Sequence, residues 1–210
     1  MSSPKGIERF TVFTDGVAAI AITLMVLPLV DLASSAGHDG TNLLDLIRDN
    51  TNVILSFFLS FFVIARLWLG HQSLFDTYEV YNSRVILLGF LWMLTIVLLP
   101  FATTLIAEQS GDSIAVGFYI GDIFVSSLCL SLLRLISVRD LKQRNLENQD
   151  EASSELKNAF AATGMLLVAF LIAILIPGVG LWALLILFLE APIGRFTDRA
   201  DAAKRQAPVK

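Results

Sequence analysis

Few side chains able to do chemistry fall inside the apolar stretches of this 210-residue chain: Asp15, His71, Asp122 and the single cysteine Cys129. An ionisable group on a membrane-crossing helix faces protein or water and is a functional candidate by default. Two histidines, His38 and His71, are read as lying in a loop and at a helix end. A paired-histidine haem site within one chain is therefore not available. No H-E-x-x-H, C-x-x-C or G-x-S-x-G occurs, and no glycine loop is built to cradle phosphate. The potassium-filter sequence T-V-G-Y-G is missing as well. These residues suggest no enzyme, no cofactor and no resident metal. Function should lie in what passes through, or binds to, an assembly of helices.

Composition says what must position these groups. Hydrophobic residues make up 55% of the chain, charged residues 16%, and the mean hydropathy is +0.71. A soluble domain carries about 25% charge, so water is the wrong solvent for this chain. One cysteine argues against a disulfide scaffold, and a net charge of −4 without a basic face argues against nucleic acid. The expected class is an all-α membrane protein with the lipid bilayer as its medium. Residues 16–30, 50–65, 85–107 and 158–189 contain no Asp, Glu, Lys or Arg. A spanning helix needs about 20 mostly apolar residues, because lipid offers backbone groups no partner outside the helix. Spans are read at roughly 7–30, 51–70, 85–107, 114–137, 159–176 and 179–195, six transmembrane helices in one domain over 1–197. The last two share one apolar block, broken into a hairpin at Pro177-Gly178-Val179-Gly180.

Lys and Arg set the orientation. With the N-terminus inside, the inner segments hold Lys5, Arg9, Arg84, the 134–157 run and the tail from Arg195. The outer loops hold Arg48 among Asp31, Asp39, Asp45, Asp49, Glu108 and Asp112. Both termini are expected to be cytoplasmic. Residues 138–157 read as a cytoplasmic helical extension between spans 4 and 5, and 198–210 as a disordered cytoplasmic tail. Residues 5–37 also look like a signal peptide, with Leu32-Ala33-Ser34-Ser35-Ala36-Gly37 as a small-residue cleavage site. Asp15 ahead of the apolar run, and Pro28 within it, argue for a retained helix.

Span 1 has two distinct faces. At 100° per residue, Arg9, Phe13, Ile20, Leu24, Leu27 and Asp31 fall within about 60° of one another, with Gly16 and Thr23 beside them. Thr14, Ala18, Ala21 and Met25 form the opposite stripe, where small residues allow close helix approach. The front is apolar with a cation at one end and a carboxylate at the other, a pattern that a lipid-facing or core stripe also shows. Asp15 points about 140° away from Ile20, which suits a hydrogen-bonded hub better than a lumen. Arg9 is a partner for Asp15 only if the side chains bend across, since a six-residue separation is not a helical contact pair.

The stretch Arg9-x-x-x-Phe13-Thr14-Asp15 resembles the R-x-x-x-F-S-D signature opening the first helix of the transmembrane protein 175 family, the cation channels of endolysosomes and bacteria. Trp68-Leu69-Gly70-His71 and Leu99-Pro100-Phe101 are further matches. Two departures stand out: Thr14 replaces the serine, and Gly89 stands where the family has an asparagine that bonds between helices. The resemblance implies a bacterial single-repeat potassium channel, a homotetramer of six-helix protomers in the inner (plasma) membrane, with the first helix lining a central pore. It places the narrowest ring at Ile20, further rings at Leu24 and Leu27, and a polar layer at Thr23. It makes Arg9, Phe13, Thr14, Asp15, Trp68 and His71 a signature hub that knits helices together. Asp31, in fourfold copy, would draw cations to the outer mouth.

An apolar neck conducts only when wide enough to stay wetted, and it gates by drying. The ion preference of such a neck comes from the cost of stripping water, which is lower for potassium than for sodium. The rival reading is a secondary transporter or proton-coupled carrier relaying through Asp15 and Asp122. No inverted repeat or broken helix pair speaks for it.

Overall fold

The computed structural model describes residues 4–39, 42–75, 83–109, 111–143 and 149–175, all of them helical or in short connections. Among the described residues seven helices follow in order: α1 Pro4–Leu24, α2 Leu27–Asp39, α3 Leu43–Asp49, α4 Thr51–Phe75, α5 Ser83–Glu108, α6 Ser113–Gln143 and α7 Gln149–Leu175. Five stretches among the described residues are long and apolar enough to cross a membrane, the first of them Gly6–Gly37 taken through α1 and α2. The expected span 179–195, the turn at Pro177-Gly178 and the tail at 198–210 lie outside the described residues.

The stretch expected as one helix over 7–30 consists of two pieces. Pro28 has no N–H to give to the carbonyl four residues back, so the ladder cannot run straight through. Around Met25 and Val26 the bonds tighten to a three-residue step, Val26 N–H to Thr23 O at 3.3 Å and Leu29 N–H to Val26 O at 3.0 Å. The Thr23 hydroxyl donates to Ile20 O at 2.8 Å beside the break. Pro28 then sits in the first turn of α2, where its missing donor costs little. His38 belongs to α2 rather than to a loop, and His71 lies within α4, four residues before its end.

Pro100 behaves differently. It lies inside α5 without ending it, as neighbours in a membrane bundle permit. At the head of α6 the Asp112 carboxylate accepts the Ile114 N–H at 2.8 Å, a local cap for an orphan donor. Helices α6 and α7 run well beyond the apolar stretches, to Gln143 and back to Gln149.

Helices α5 and α6 form the middle of the bundle. α7 packs on α6, α4 on α5, and α1 on α5 and α4. Trp92, Ile96, Leu99 and Ile106 of α5 are fully buried, as are Tyr119, Ile120 and Leu133 of α6. Hydroxyls join the helices at two points. Thr103 of α5 donates to Ser60 Oγ of α4 at 2.8 Å, and Ser60 lies 2.9 Å from Tyr119 Oη of α6. Ser127 and Ser131 of α6 each lie 2.9 Å from Thr163 Oγ1 of α7. In lipid such bonds hold helices together, because apolar contacts alone have no advantage over lipid tails.

Candidate functional site

The small-residue stripe of α1 faces the bundle: Thr14, Ala18 and Ala21 are buried, as is Met25 just past the end of the helix. The front stripe is open in the protomer, with Ile20 62%, Leu24 46% and Leu27 50% exposed and Thr23 and Asp31 also at the surface. The break at Met25 and Val26 puts Leu27 and Asp31 on α2, so their direction follows the axis of α2 and not that of α1.

Asp15 reaches across to α4, where the Trp68 indole N–H donates to Asp15 Oδ1 at 2.8 Å. A charge-assisted bond of this kind is among the stronger ones, and it fixes α1 against α4 near the end that carries Arg9. The other residues grouped with this pair by the sequence take different places. The Thr14 hydroxyl is buried and donates to Thr11 O in its own helix at 2.7 Å. Phe13 is 54% exposed. Arg9 is exposed and makes no ion pair with Asp15 among the described residues.

His71 is fully buried three residues beyond Trp68. Its ring stacks on Trp92 of α5, with centroids 4.1 Å apart and planes 16° apart, and lies 4.4 Å from Phe75. Neither ring nitrogen of His71, nor Nε1 of Trp92, meets a hydrogen-bond partner among the described residues. Gly89, where the family asparagine was expected, accounts for the local arrangement. A Cβ on Gly89 would lie 2.5 Å from Cζ of Phe10. The missing side chain lets the Phe10 ring of α1 lie against the α5 backbone. There Phe10 meets Phe90 edge-on at 5.7 Å and Phe75 at 5.9 Å. Thus an aromatic wedge from α1 occupies the place where a polar bond was expected.

Sequence reasoning missed this wedge and the Ser60–Thr103–Tyr119 chain. Hydroxyls inside charge-free stretches were the available signal for the chain. Nothing local marks Phe10 as the partner of a glycine almost eighty positions away. Asp122 is buried in α6 with Oδ2 lacking a partner among the described residues, as does the hydroxyl of Ser126 one turn on. No group of three or more His, Cys, Asp or Glu side chains that could hold a metal occurs among the described residues.

The chain is similar to known proteins in sequence and in fold. Residues 9–100 match the family model described as endosomal/lysosomal potassium channel TMEM175. A curated relative from Gallus gallus, the endosomal/lysosomal proton channel TMEM175, is 25% identical over 164 residues, which are 76% of this chain and 31% of the relative. The chain therefore spans about a third of that relative's length. A crystal structure of a lysosomal potassium-selective channel TMEM175 homolog from Chamaesiphon minutus shares the fold, with a TM-score of 0.74 at 21% identity, covering 90% of this chain and 98% of the other. Through residues 9–100, with Arg9, Asp15, Trp68 and His71 among them, this chain is similar to the TMEM175 family.

Proposed function

We propose that the chain is the protomer of a potassium-permeable cation channel, in which four copies place α1 around a central water-filled path. The narrowest ring is Ile20, with Leu24 and Leu27 following and Thr23 as a polar layer between them. The observation that carries this reading is the open apolar stripe of α1 on a helix whose other face is bolted to the bundle. Thr14, Ala18, Ala21 and Met25 are spent on packing, and Asp15 is spent on Trp68. Ile20, Leu24 and Leu27 are left for something outside the protomer. An apolar collar of this kind passes ions while hydrated and closes by drying. Both chain termini are cytoplasmic, Asp31 raises cation concentration at the outer mouth, and salt screens that effect.

The family description names potassium and the curated relative's name says proton channel, so the permeant ion is the point to test. Single-channel recording from purified protein in a planar bilayer separates the cases. Stepwise currents reversing near the potassium potential support this reading. Currents that follow only the pH gradient would replace potassium by protons. Slow, saturable flux without steps would favour the carrier reading through Asp15 and Asp122.

A further inference from the structure

The short helix α3, Leu43–Asp49, has no buried residue, although Leu and Ile make up most of it. At 100° per residue Leu43, Leu44 and Ile47 fall within about 100° of one another, and Asp45, Arg48 and Asp49 fill about 100° on the opposite side. The three apolar side chains are 66%, 73% and 47% exposed. A helix of two turns is not held in water by its own propensity. This face needs an apolar medium or an apolar partner.

The junction with α4 says which. Leu55, Phe58, Phe62 and Leu69 are exposed on α4, a helix long and apolar enough to cross a membrane, and their spacing draws one stripe along it. Counted back through Thr51, itself exposed, the same steps of three and four arrive at Ile47 and Leu44. The bend at Asn50 preserves that register, since Asn50 N–H reaches Leu46 O at 3.2 Å and Ile54 N–H reaches Asn50 O at 3.2 Å. The apolar face of α3 therefore prolongs the stripe of α4. The bend also serves its own carbonyls. Leu46 O accepts from the Asn50 side-chain amide as well, at 3.0 Å, and the Thr51 hydroxyl lies 3.1 Å from Ile47 O and 2.9 Å from Arg48 O. Carbonyls at a helix end usually turn to water, whereas backbone that meets lipid has to be satisfied by the chain itself.

We propose that α3 lies in the bilayer interface, with Leu43, Leu44 and Ile47 set among phospholipid glycerol and upper acyl carbons and Asp45, Arg48 and Asp49 turned to water. A short helix with one apolar and one charged face fits that position. Composition selects lipid over a second copy of the chain. Helix contacts inside membranes favour small residues, whereas this stripe is Leu, Ile and Phe apart from Thr51. In the orientation proposed above the leaflet is the outer one. The placement itself needs only that α4 crosses the membrane, so it stands or falls apart from the pore.

Spin labelling of the full chain in phosphatidylcholine–phosphatidylglycerol liposomes tests this. Single cysteines, from Leu43→Cys through Asp49→Cys in a Cys129→Ser background, each carry a nitroxide. Its relaxation by oxygen, which concentrates in lipid, is compared with that by a water-soluble nickel chelate. Oxygen should dominate at 43, 44 and 47 and the chelate at 45, 48 and 49, an oscillation with a period of about 3.6 residues. Chelate access at every position would put α3 in water and overturn the proposal. Access by neither reagent at 43, 44 and 47 would mean that protein covers the face, and would overturn it equally. Hydroxyl-radical footprinting of the unlabelled protein in nanodiscs gives a check that no label can disturb. Leu43, Leu44 and Ile47 should stay unoxidised there, and their oxidation would contradict the placement.

Discussion

Replacing Gly89 by alanine tests how α1 is seated. The new methyl carbon would stand 2.5 Å from Cζ and 2.7 Å from Cε1 of Phe10, where carbon atoms prefer about 3.5–4.0 Å. The ring must retreat by roughly 1 Å, but Phe75 and Phe90 already hold it at 5.9 and 5.7 Å. Overpacking of this kind costs about 1–3 kcal/mol. A glycine-to-alanine change inside a helix returns up to about 1 kcal/mol, so the expected net loss is about 1–2 kcal/mol. Phe10→Ala alone should cost about 3–5 kcal/mol by emptying the site. In the double variant the new methyl has room, so its cost should vanish and leave a favourable coupling of about 1–3 kcal/mol. Reversible unfolding in mixed detergent micelles gives the four free energies. Additivity within about 0.5 kcal/mol would show that ring and glycine are not in contact, and the wedge would have to be abandoned.

Three further outcomes follow from the same geometry. Trp68→Phe keeps the ring but removes the donor to Asp15, and should lower stability by about 1.5–3 kcal/mol; an unchanged unfolding midpoint would show the bond to be incidental. Ser60→Ala should cost about 1–3 kcal/mol, because the Tyr119 hydroxyl loses its partner while Thr103 keeps Leu99 O at 2.7 Å. The check is the same unfolding measurement, with Thr103→Val predicted to cost less. Ile20→Asn should hydrate the neck, raise unitary conductance and blunt ion preference; unaltered permeation would put the neck elsewhere.

Much of the bundle was legible because lipid imposes one rule on the backbone. Charge-free stretches over 50–65 and 85–107 could be little else than helices, and α4 and α5 contain them. Lengths beyond the apolar blocks were harder to read. Within the helical extension expected over 138–157, the described residues belong to the ends of α6 and α7, since Glu, Ala, Leu and Lys are good helix formers in or out of lipid. The 3.6-residue period picked out Thr14, Ala18, Ala21 and Met25 as a packing stripe, since only the step within one helix is needed. Pro28 divides the helix, so Leu27 and Asp31 lie on α2, exposed as Ile20 and Leu24 are on α1. Asp15 and Trp68 were grouped by resemblance, but their bond depends on how α1 and α4 cross. Phe10 and Gly89 were not paired at all, because a wedge in a glycine gap is a property of two helices and has no pattern in either alone.

The central claim is that Ile20 forms the collar through which ions pass. An Ile20→Cys variant, with Cys129→Ser removing the native thiol, should conduct in a planar bilayer as the parent does. A charged, water-soluble thiol reagent should then cut its potassium current irreversibly while sparing the Cys129→Ser parent. No modification by mass would mean that α1 turns this face to lipid, and modification with conductance unchanged would mean that ions do not pass this ring; either result would contradict the account.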